Sequence, residues 1–128
     1  MNIKGVDHIV VRVKDLDAAI STYRDKLGMT LERTAESEVL GMRQAFFPFP
    51  GGGFLELVAP LGENSAVGRA IENLGEGIHT VSLGVDDLAA TTRSLQEAGM
   101  RLIGAESSQV FVHPKSAHGL LLHLTEKK

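Results

Sequence analysis

The chain is 128 residues long, 43% hydrophobic and 23% charged, with a formal net charge of −3 and no cysteine. That size admits one domain with one core, and the acidic balance leaves no basic stripe for nucleic-acid phosphates. Disulfides and thiolate chemistry are excluded. No apolar run approaches the ~20 residues of a membrane helix, and no signal-type stretch precedes the first strand. A cytoplasmic protein without nucleic-acid or membrane partners is expected.

The first predicted element is a strand over 3–13, with Asp7, Ile9, Val11 and Val13 on one face and His8, Val10 and Arg12 on the other. Asp15 is placed to cap a helix carrying Leu16, Ala19, Ile20, Tyr23 and Leu27 at helical spacing, and Gly28 ends it. Extended segments follow over about 30–39, 42–49 and 54–59, the last two separated by Pro48, Pro50 and Gly51 to Gly53. Asn64 or Ser65 then caps a helix reaching Leu74, with Val67, Ala70, Ile71 and Leu74 on one stripe. Beyond Gly75 and Gly77, residues 78–85 read as a strand and Asp87 caps a helix to Ala98. Short strands are expected near 101–103, 110–113 and 120–124.

The second half repeats the first. Val13, Asp15, Leu16 and Ala18 return at one constant offset as Val85, Asp87, Leu88 and Ala90. Gly28, Met29 and Leu31 return after a one-residue slip as Gly99, Met100 and Leu102. Each half reads β-α-β-β-β, and neither could bury its sheet alone. The expected fold is α+β: two paired βαβββ modules forming one curved eight-stranded mixed sheet, a cup, with helices outside. Module one spans about 1–60, a connector helix about 64–75 and module two about 77–128 of a single domain, 1–128.

Strand alternation then sorts the polar residues. Leu55 and Leu57 belong to the packing face, so Glu56 points inward with Phe54 and Val58. Leu120, Leu122 and Leu124 pack, so His123 points inward with Leu121 and Thr125. The repeat of His8 is Thr80, whose face also carries Ser82 and Gly84. Two imidazoles and a carboxylate at matched positions suit a divalent transition metal, although inward His and Glu residues also line wet cavities without one. His79 shares a face with Val81, Leu83 and Val85 and is expected in a structural or rim role. His113 and His118 flank the "HPKSAHG" turn and are expected in surface hydrogen bonds.

The stretches "DHIVVRVKDLDAAISTYRDKLGM", "FLELVAPLGENSAVGRAIENLGEGIHTVSLGVDDL" and "VFVHPKSAHGLLLHL" cover nearly the whole chain. They resemble the methylmalonyl-CoA epimerase branch of the vicinal oxygen chelate superfamily, which also holds glyoxalases, extradiol dioxygenases and antibiotic-resistance proteins. The resemblance implies one divalent metal ion, often cobalt, where the donor types alone fit cobalt, zinc, nickel, manganese or iron, and it implies a small-molecule substrate and a homodimer. It maps two ligands onto His8 and Glu56. Thr80 stands where the family carries a ligand histidine. His123 stands where it carries a glutamate that binds metal and is proposed to move protons. Gln44 aligns with a second acid/base glutamate, although an amide cannot take a proton from carbon at neutral pH. Its "AESSQV" connection is shorter than the usual family hairpin.

The candidate metal ligands are therefore His8, Glu56 and His123, and the catalytic positions are His123 and Gln44. Thr80 and Lys115 are candidates for supporting or substrate contacts. His123 serves as ligand or as base but not as both, because a metal-bound nitrogen is no longer basic. The expected chemistry is enolate-type proton transfer on a small acid or acyl-CoA thioester. Two alternatives stand beside it: a glyoxalase-like lyase or non-haem-iron dioxygenase, and a metal-free small-molecule binding or resistance protein.

Overall fold

A computed structural model describes residues 3–127. The fold is α+β, with an eight-stranded mixed sheet and three α-helices. The strands are β1 (Ile3–Arg12), β2 (Arg33–Ser37), β3 (Met42–Pro48), β4 (Phe54–Pro60), β5 (Gly77–Val85), β6 (Leu102–Ile103), β7 (Val110–Val112) and β8 (Leu122–Glu126). Their order is β2-β3-β4-β1-β5-β8-β7-β6. The helices are α1 (Leu16–Ile20), α2 (Ala66–Leu74) and α3 (Leu88–Glu97). Among the described residues no helix is long and apolar enough to cross a membrane.

The chain forms two compact units. One comprises Ile9–His79; the other comprises residues 3–8 together with 80–127.

In the Ile9–His79 unit, β3 pairs antiparallel with both β2 and β4. Asp15 caps α1, its carboxylate accepting the Ala18 N–H at 3.1 Å. The helix does not run regularly to Gly28: from Ser21 to Lys26 it widens into a π-helical turn, and Leu27 donates to Thr22 rather than to the residue one turn back. This rotates Leu27 off the apolar stripe, and it is 62% exposed instead of packed. Leu16, Ala19 and Ile20 meet Ala45, Phe47, Leu57 and Ala59 in the main cluster. The opposite strand faces supply a second cluster, in which Val10 and Val58 meet Val67 of α2. Ser65, not Asn64, caps that helix, accepting from Gly68 at 3.2 Å.

Arg12 closes the unit. Its guanidinium is buried and donates to the carbonyls of Gly75 at 2.7 Å and Ile78 at 2.6 Å. The Glu76 carboxylate accepts the Lys14 N–H at 2.7 Å. A buried cation with oriented carbonyls on its donors avoids the penalty of an unsatisfied charge.

In the other unit, β5 and β8 are parallel, and β8, β7 and β6 are joined antiparallel. Asp87 caps α3 through Ala90. Val85, Val110 and Leu124 form the buried cluster under Leu88 and Leu95 of that helix. The last strand starts two residues later than expected, at Leu122, and Leu120 lies outside it at 36% exposed. The β6–β7 turn needs Gly104: φ is +71°, and a Cβ there would collide with the Gln109 carbonyl.

Leu57 is fully buried between α1 and the sheet. Leu57→Ala is expected to cost about 2–5 kcal/mol, seen as a lowered urea midpoint with an unchanged slope. A midpoint within error of wild type would contradict this packing.

Candidate functional site

The polar face of the second unit is set by register. Val81, Leu83, Leu122, Leu124, Val110 and Val112 take one side, so Ser82, His123 and Phe111, directly opposite one another across β5, β8 and β7, take the other. Thr80 lies two residues before Ser82, and both are buried.

His123 sits in a defined nest. Phe111 flanks its ring with centroids 4.8 Å apart, and the His8 ring lies at 6.2 Å. Its Nδ1 is 3.0 Å from the Ser82 hydroxyl and 3.3 Å from that of Thr125, and the two hydroxyls are 2.6 Å apart. Its Nε2 is buried without a hydrogen-bond partner. Burial holds this imidazole below the ordinary value of 6.5; the His8 ring adds to the shift and Asp7 opposes it.

His8 has a different neighbour. Its Nδ1 is 2.7 Å from the Asp7 carboxylate, whose other oxygen accepts from Lys127 at 2.8 Å. Burial works against ionisation of Asp7, but the hydrogen bonds from Lys127 and His8 outweigh it and hold the carboxyl below its usual value. A carboxylate on the rear nitrogen is the arrangement that orients a metal-binding imidazole and raises its donor strength.

In the first unit, Glu56 is buried on β4 opposite Phe46. Its Oε2 accepts from the Gln44 amide at 2.9 Å. Arg33 lies 3.8 Å above the Phe46 ring and Phe54 lies beside it, so an aromatic and cationic group shares the row with this carboxylate.

Within the units, His8 lies near His123 in one and Gln44 meets Glu56 in the other. Among the described residues, no set of three or more His, Asp or Glu side chains is gathered as metal ligands. The donor chemistry of the histidine pair nevertheless suits a divalent ion, since a buried imidazole nitrogen is left unpartnered beside a carboxylate-backed histidine. Lys115 stands exposed in the turn Pro114–Ser116, and its N–H donates to His113 Nδ1. His79 is half-buried, lowered by burial and then by Arg12.

Three residues escaped sequence reasoning. Strict alternation put Asp7 on the face opposite His8, so their contact was not legible. Lys127 lay beyond every predicted strand. The contact of Arg33 with Phe46 depends on the register of β2 with β3.

The glyoxalase-like domain family model matches residues 6–124. Among curated proteins, the ethylmalonyl-CoA/methylmalonyl-CoA epimerase of Cereibacter sphaeroides is 32% identical over 130 residues, covering 94% of this chain and 96% of its own length. Among solved structures, methylmalonyl-CoA epimerase from Mycobacterium tuberculosis superposes with a TM-score of 0.84 at 36% identity, covering 98% of this chain and 89% of that one. A Streptomyces coelicolor methylmalonyl-CoA epimerase variant in complex with 2-nitronate-propionyl-CoA gives 0.83 at 33% identity, covering 98% and 99%.

The lowered imidazoles set a pH dependence. A histidine whose folded pKa lies below its unfolded value contributes stability that is full above the ordinary 6.5 and is lost as pH falls through the folded value. Urea midpoints are therefore expected to fall between about pH 7.5 and pH 5, and to fall less in His79→Gln. An identical pH slope in the variant would refute the assignment for His79.

Proposed function

Because the chain belongs to the glyoxalase-like domain family, we propose that it moves a proton at the acidic carbon of an acyl-CoA thioester, as an epimerase of the methylmalonyl-CoA type. The observation that carries this reading is the buried, unpartnered Nε2 of His123 beside the Asp7-backed His8, in a chain similar to epimerases over almost its whole length.

His8 and His123 are the residues that would hold a divalent ion. Bound there, such an ion supplies Lewis-acid stabilisation of negative charge developing on a substrate oxygen, worth several kcal/mol. Asp7 keeps the His8 ring turned with Nδ1 to the rear. Lys127 keeps the Asp7 carboxylate ionised for that purpose. The Phe111 ring, against His123, shields that imidazole from water. Where His123 does not bind metal, its neutral Nε2 is the base that takes the substrate proton, and its depressed pKa keeps it unprotonated at neutral pH. Gln44 cannot take up a proton; its amide donates to the Glu56 carboxylate and fixes it.

The decisive experiment measures metal content and exchange together. Protein purified without chelator and reloaded with cobalt is expected to hold about one ion per chain, lost in His8→Ala, and to incorporate deuterium at the α-carbon of methylmalonyl-CoA in D2O. Asp7→Asn is expected to weaken cobalt affinity about 10–100-fold. The same titration on Glu56→Gln reports whether that carboxylate contributes a donor. Stoichiometric metal with no exchange would rule out methylmalonyl-CoA as the substrate. No metal in any protein would replace the Lewis-acid mechanism with the metal-free binding reading.

A further inference from the structure

We propose that Ser82 and Thr125 are positioning residues that hold His123 in the Nδ1–H tautomer and so present Nε2 as a lone pair. The inference deepens the proposed role of His123, and only its consequence for turnover rests on that role.

The argument is a count of hydrogens. Ser82 Oγ, Thr125 Oγ1 and His123 Nδ1 form a triangle with sides of 2.6, 3.0 and 3.3 Å. The 2.6 Å side is a short O–H···O bond, so one hydroxyl donates to the other. If Ser82 donates to Thr125, the Ser82 proton is used. Thr125 keeps its own proton but reaches Nδ1 only at 3.3 Å, so Nδ1 supplies the proton for the shorter 3.0 Å contact with Ser82, and the ring is Nδ1–H. If Thr125 donates to Ser82, the Ser82 hydroxyl is free to donate to Nδ1, and the ring proton moves to Nε2.

The second arrangement leaves an N–H donor on Nε2, which is buried and has no partner. A buried donor left unpaired costs its full desolvation penalty, and a metal ion or an incoming substrate proton cannot relieve it. The first arrangement leaves a lone pair there instead. That is the form able to accept a metal ion or a substrate proton.

The geometry allows little escape from this choice. Ser82 is fully buried and stands directly opposite His123 in the parallel β5–β8 register. Thr125, two residues beyond His123, lies on the same face of β8. Phe111, opposite His123 on β7, packs against the ring. Exposed imidazoles in water favour Nε2–H, so the protein must hold the other form. An imidazole has a tautomer to choose, and the hydroxyl pair makes the choice.

The test reads the tautomer directly. Two-bond 1H–15N spectra of the labelled protein at about pH 8 place the imidazoles in their neutral form. They would be taken as purified and again after chelation, since a bound ion would itself enforce Nδ1–H. The expected result is an unprotonated Nε2 on His123 in both samples. Ser82→Ala, which removes the acceptor while leaving nearly the same shape, is expected to move the proton to Nε2 after chelation. Thr125→Val keeps the volume but removes the group that takes the Ser82 proton, and gives the same reading if Ser82→Ala does not fold. Turnover in Ser82→Ala is expected to fall about 10–100-fold.

An Nε2–H signal in the wild-type protein overturns the inference. So does an Nδ1–H tautomer seen only with metal present, or one unchanged in the variant. If the tautomer behaves as expected but no metal binds and no substrate exchanges, the proposed function fails and the positioning role stands.

Discussion

Everything in this molecule depends on strands that serve two different neighbours at once. In β4, Leu55, Leu57 and Ala59 lie against the helix side, while Glu56 and Val58 between them face the other way. In β8, Leu124 joins the core and His123 opposes it. A shift of one residue in either register would bring a carboxylate or an imidazole into the hydrophobic cluster and expose the leucines. Burial of Leu57 and Leu124 therefore holds Glu56 and His123 in place as firmly as any contact those side chains make themselves.

On that scaffold the two histidines acquire distinct characters from their rear neighbours. His8 leans on an ionised carboxylate, itself neutralised by Lys127. His123 leans on two neutral hydroxyls and an aromatic ring. Anionic support strengthens a donor, whereas hydroxyl support fixes geometry without adding charge. The pair is thus chemically asymmetric although both residues are imidazoles.

Arg12 and the connector show a structural use for polarity on the same sheet. Alternation placed Arg12 among the inward residues, yet its Nε and Nη1 donate to the carbonyls of Gly75 and Ile78. A buried charge on a candidate functional face can be a strut, and only its partners distinguish the two uses.

Local sequence pattern sufficed for the element order, the α+β class, the helix caps at Asp15, Ser65 or its neighbour, and Asp87, and the strand face on which each of His8, Glu56, Thr80 and His123 falls. These are local properties: periodicity and capping act within a few residues, so they are written in the chain. The tertiary structure alone decided the π-helical turn that turns Leu27 outward, the late start of β8, and the partners of each polar atom. Ser82 and Thr125 were legible as residues of the right face, but their triangle with His123 required the parallel β5–β8 register. Asp7, Lys127 and Arg33 were not legible as partners, because a hydrogen bond or ring contact depends on ångström-scale distances between segments far apart in sequence, which no local pattern encodes.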